Sequence, residues 1–142
     1  MSYEIIEAAV VARMIEHFDE LDADRCRAGE LDEVINSLFE SGERFACIIE
    51  YFGAGRHSSE RFSREVWRWD IGGIIMVRYE AGTIEADLRT IVDKLKSAFG
   101  SPYRRIGGAD LVTLVEIDQP DVAEINEVRF YWLPFLVAAI ED

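Results

Sequence analysis

Residues 66–99 run VWRWDIGGIIMVRYE (66–80), then Ala81-Gly82, then TIEADLRTIVDKLKSAF (83–99), and the change of period between the two halves decides the fold. In the first half Trp67, Trp69 and Ile71 alternate with Arg68 and Asp70. That two-residue period marks a strand. After Thr83 the apolar residues Ile84, Leu88, Ile91, Val92, Leu95 and Phe99 recur at threes and fours, the stripe of an amphipathic helix. Thr83 reads as its N-cap, with Glu85 and Asp87 in the first turn. Gly100 reads as the residue just past its end, and Pro102 blocks continuation. Gly72-Gly73 interrupts the strand, but Ile74 to Tyr79 resumes it at once, which predicts a bulge or bend there.

Working outward, Phe45 to Phe52 is a β-branched and aromatic run that Gly53-Ala54-Gly55 is expected to end. Residues 53–65 (GAGRHSSERFSRE) then form a polar hairpin loop between two antiparallel strands. Upstream, Ile5, Ile6, Ala9, Val10, Met14, Phe18 and Leu21 predict a helix over residues 4–21. Leu31, Val34, Ile35, Leu38 and Phe39 predict a shorter one over 30–41. Downstream, Leu111 to Ile117 and Val128 to Ile140 read as strands around the loop Asp118-Gln119-Pro120-Asp121, with Pro134 expected at an edge or a bulge. The order α-α-β-β-α-β-β predicts one α+β domain over residues 1–142. Its mixed or antiparallel sheet has about four strands, packed by the Thr83 helix with the N-terminal helix beside it.

Composition bounds the function. The chain has 142 residues, 15 Lys and Arg against 28 Asp and Glu, and a net charge of −13. A 49% hydrophobic content with three prolines excludes wholesale disorder. The charge argues against a nucleic-acid binder and against docking on an anionic membrane. No apolar run approaches the ~20 residues of a membrane helix, and Met1-Ser2-Tyr3-Glu4 lacks the basic start of a secretion signal. Cys47, inside an apolar run, is expected to be buried, and Cys26, between Arg25 and Arg27, to be exposed. Two isolated thiols suit a reducing compartment such as the cytoplasm.

Nothing in the motifs suggests catalysis, a metal or a cofactor. His57 stands beside Ser58 and Ser59 without G-x-S-x-G, and adjacency makes no triad. Asp118, Asp121 and Glu124 lack the glycine and terminal glutamate of a calcium loop. What remains is the segregation of charge. Residues 1–42 hold 11 acids and three bases, and residues 116–127 hold five acids and no base. Residues 56–68 hold Arg56, Arg61, Arg64 and Arg68 against Glu60 and Glu65. Thirteen of the 15 basic residues are arginine, the side chain of bidentate carboxylate pairing and of interfaces. An arginine loop on one subunit meeting an acidic face on the next is a self-complementary contact. Its expected residues are Arg56, His57, Arg61, Phe62, Arg64, Trp67 and Trp69, with Tyr131 and Trp132 as further aromatic anchors.

Taken together, the long N-terminal helix, the strand FACIIEYFGAGR (45–56) and its polar loop, the Trp-bearing strand, the helix at 83–99 and the closing strands LVTLVEID (111–118) and NEVRFYWLPFLVAAIED (126–142) resemble the tail terminator, or tail completion, proteins of long-tailed bacteriophages. The likeness is especially to those of Mu-like siphophages and gene transfer agents, and it covers nearly the whole chain. The resemblance rests on size, order and strand texture, not on a signature motif. Gly72-Gly73 and the extra helix at 30–41 depart from the pattern. The resemblance implies a structural virion protein made in the bacterial cytoplasm. It would form a homo-hexameric ring on the head-proximal end of the tail tube, stop tube polymerisation and offer a surface to the head connector. DNA would pass through the ring without specific binding. No enzyme activity, catalytic residue or cofactor is implied, and the loop at 53–65 matches a family loop that contacts neighbouring tail parts. Rival readings are an acidic immunity protein steered onto a basic toxin, or another neck protein at the head–tail joint.

Overall fold

The computed structural model describes residues 3–19, 21, 26–28, 45–58, 65–80, 82–100, 104–106, 109–125 and 127–141. The elements run α1 (Tyr3–His17), β1 (Cys26–Ala28), β2 (Phe45–Ser58), β3 (Glu65–Arg78), α2 (Ile84–Phe99), β4 (Arg104–Ile106), β5 (Ala109–Ile117), β6 (Asp121–Ile125) and β7 (Val128–Glu141). The strands form one sheet in the order β1-β2-β3-β7-β5-β4, with β6 also on β7. Among the described strands only β1 runs parallel to its neighbour, so the sheet is mixed and the fold is α+β as expected. The expected helix at 30–41 lies outside the described residues.

Both helices cover the same face of the sheet. On α1, Ile6, Val10 and Met14 form the buried stripe, which Phe18 continues just past the helix end, while Ile5 is 53% exposed and falls outside it. On α2 the buried residues are Ile91, Leu95, Ala98 and Phe99. They meet Cys47 and Ile49 of β2, Ile71, Ile75 and Val77 of β3, and Leu133, Phe135, Val137 and Ala139 of β7 in one core. Nε of Arg13 donates to the carbonyl of Ala98 (3.2 Å), setting a cation at the C-terminal end of α2, where the helix dipole favours it. Thr83 makes no side-chain cap, and its hydroxyl instead donates to the carbonyl of Glu80 (3.3 Å). Gly100 ends α2 in right-handed conformation, its N–H on the carbonyl of Lys96.

Five expectations are corrected here. Gly53-Ala54-Gly55 does not end β2, which continues in register with β3 to Ser58↔Glu65. The partner strand supplies the ladder, and this overrides the local glycine signal. The register shift falls between Tyr51 and Gly53 of β2, not at Gly72-Gly73. Gly73 stays in register between Ile49 and Phe135 and makes room for the Phe135 ring, since a Cβ there would stand 2.3 Å from Phe135 Cζ. Pro134 lies at the middle of β7, which has partners on both edges. β6 pairs with residues 128–132 and β5 with 135–140, so its missing N–H falls where one partner gives way to the other. Its carbonyl accepts from the N–H of Asp118 (2.9 Å). Cys26 is fully buried, because β1 sets it in register with Cys47 of β2. The sheet also has more than four strands: β1, β4 and β6 extend the four long ones. The first two have three residues each, too short to show a period in sequence.

The sheet's second face is apolar too. Ala46, Ile48, Met76, Phe130 and Ala138 are buried there, and Ile74, Trp132, Pro134 and Leu136 are half-buried.

Candidate interaction surface

The β2–β3 hairpin carries four of the residues singled out from sequence. Arg56 stands opposite Trp67, His57 opposite Val66, and Ala54 opposite Trp69. β7 supports the hairpin as far as Trp67↔Glu141, so only two further pairs extend beyond the three-stranded body. Trp69 is half-buried and packs against the core. Nearby, Nε of Arg68 donates to Oδ1 of Asp70 at 2.8 Å, a pair about one-third exposed on each side. Arg61, Phe62 and Arg64 lie outside the described residues.

A second feature was not singled out from sequence. Between β5 and β7 the register shifts at Leu114/Glu116, leaving Val115 as an extra residue. Three residues later the chain leaves β7 at Asp118-Gln119-Pro120 before rejoining it as β6. The two irregularities open a cleft of about 230 Å³ lined by Gly73, Ile74, Glu116, Asp118, Pro134, Phe135 and Leu136. Its floor is apolar, and its charged lining residues, Glu116 and Asp118, are both exposed acids. It is smaller than the about 300–1,000 Å³ of small-molecule sites and suits a few side chains of a protein partner. The acid run 116–127 was visible in the sequence; the cleft beside it depends on a bulge and a strand break that no local pattern announces. The buried indole N–H of neighbouring Trp132 has no hydrogen-bond partner among the described residues.

At the far end of β7, away from the hairpin, Tyr79 stacks on Tyr131 (5.9 Å between centroids), and the Arg129 guanidinium lies over Tyr79. Arg129 is in register with Glu124, so that end carries both signs of charge.

Among the described residues no three or more His, Cys, Asp or Glu side chains group as a metal site, and no helix is long and apolar enough to cross a membrane. The two cysteines are free and buried. Burial, and then the hydrogen bond and proximity of Cys26, push the Cys47 thiol well above its ordinary value of 9.0, so it stays protonated and a poor nucleophile at neutral pH. Burial and the neighbouring Glu4 also raise Glu7. No family model matches this chain, and no curated protein matches it.

Proposed function

We propose that this chain is a structural subunit of a homo-oligomeric ring, of the kind that terminates phage tails. It would cap the head-proximal end of the tail tube, stop its growth and receive the head connector. The observation that carries the reading is the separation of charge along one strand. The arginine-bearing hairpin sits at the Glu141 end of β7, and the acid run 116–127 borders its other half. Two unlike patches on one body suit a head-to-tail contact, which closes into a ring when the rotation permits. The mixed α+β fold, with its β2–β3 hairpin and amphipathic helix, is compatible with this reading. Six copies of a −13 chain carry −78, a charge that would repel phosphates from a DNA-conducting lumen. Native mass measurement with and without tail tube tests the reading. A ring on the tube end is expected; a protein that remains monomeric in the presence of tube overturns it.

A further inference from the structure

We infer that the acid-rimmed cleft at the β5–β6 break is the seat for the arginine-bearing end of the β2–β3 hairpin of a second copy of this chain. The inference rests on the ring reading and names the contact that would build it.

The seat offers two chemistries at once. Ile74, Pro134 and Leu136 supply an apolar floor, and Glu116 and Asp118 supply two exposed carboxylates at its rim. Arginine suits such a site: its aliphatic stem lies along apolar surface while the guanidinium pairs with carboxylates. Asp121 and Glu124 continue the negative edge along β6, both exposed.

The occupant follows from the chain's own charge. Residues 56–68 hold four of the chain's 13 arginines against two glutamates, a local cationic surplus in a protein of net charge −13. The described part of the hairpin stands away from the seat of its own molecule. Trp67 pairs with Glu141, seven residues along β7 from Pro134, which is about 23 Å at strand rise. Seat and hairpin are therefore complementary but separated, and a neighbouring copy brings them together.

A charge-swap experiment in the full-length chain tests this. Glu116→Arg with Asp118→Arg makes the seat basic; Arg56→Glu with Arg61→Glu makes the hairpin acidic. Each double variant alone is expected to self-associate at least about tenfold more weakly than the parent by sedimentation velocity. In an equimolar mixture that alternates the two, half of the contacts keep the parent's signs and half have them reversed, so every contact pairs opposite charges, and assembly is expected to return to within about threefold of the parent. Circular dichroism and thermal melts confirm that the variants fold, and Glu116→Gln with Asp118→Asn gives a milder pair with an intermediate loss. If the parent assembles but the seat variant assembles equally well, or the mixture fails to recover, the seat is wrong and the ring reading stands. If the parent never assembles, with tube or without, both fall.

Discussion

Gly73 has no room for a side chain. A Cβ there would lie 2.3 and 2.5 Å from Phe135 Cζ and Cε1 and 3.0 Å from Ile49 Cδ1, and both neighbours are buried. Gly73→Ala is therefore expected to cost about 1–3 kcal/mol through overpacking. Phe135→Leu in the same background should recover much of that loss, so the two substitutions will be strongly non-additive in chemical denaturation. The buried cysteines make a second residue-scale prediction. The folded Cys47 thiol holds its proton well above 9.0, whereas the unfolded thiol releases it near 9.0. Between those two values the folded state binds more protons, so stability is complete below pH 9 and falls as pH rises beyond it, by at most about 1.4 kcal/mol per pH unit for one thiol. Urea midpoints from pH 8 to 10.5 should show that decline in the parent and a flatter one in Cys47→Ala.

At the scale of elements, the β6–β7 hairpin is closed by Ile125↔Val128, leaving Asn126-Glu127 as a two-residue connection. Glu127 sits at φ 67°, the left-handed region, where a non-glycine residue is strained. Glu127→Gly is expected to raise stability by up to about 1 kcal/mol, read as a higher melting temperature. Its effect on assembly should be small, because Glu127 is not among the residues lining the cleft. Elements with a sustained period were legible in the sequence: α2 begins and ends within a residue of its pattern, and β3 and β7 fall where alternation and apolarity put them. Elements made by partners were not. β1 and β4 have three residues apiece, β6 follows a proline, and β2 runs through three residues that locally read as a stop. Cys26 shows the same limit, since its polar sequence neighbours conceal a position that β2 places in the core. The cleft was half-legible: its acids stand out in composition, but its floor combines β3 with the middle of β7, residues more than fifty positions apart.

For the molecule as a whole, charge must be weighed against shape. A protein of net charge −13 repels its own copies at long range, yet the proposed contact brings opposite signs together at short range. Salt acts on both terms. Raising ionic strength from 0.1 to 1 M shortens the screening length from about 10 to about 3 Å. Over that range the general repulsion between acidic surfaces vanishes, and so does most of the attraction between exposed arginine and the Glu116–Asp118 rim. If the apolar floor supplied all the affinity, loss of repulsion would leave assembly tighter at 1 M, as the hydrophobic effect alone predicts. If the charged rim dominates, assembly weakens, and roughly tenfold is expected for two partly desolvated ion pairs. The structure favours the second outcome, because both rim carboxylates are exposed and the floor residues Ile74, Pro134 and Leu136 are already half-buried, with little apolar area left to cover. Sedimentation at the two salt concentrations decides between them. The seat variant Glu116→Gln with Asp118→Asn should lose most of the salt dependence, and equal salt slopes in parent and variant would locate the attractive charge elsewhere on the molecule.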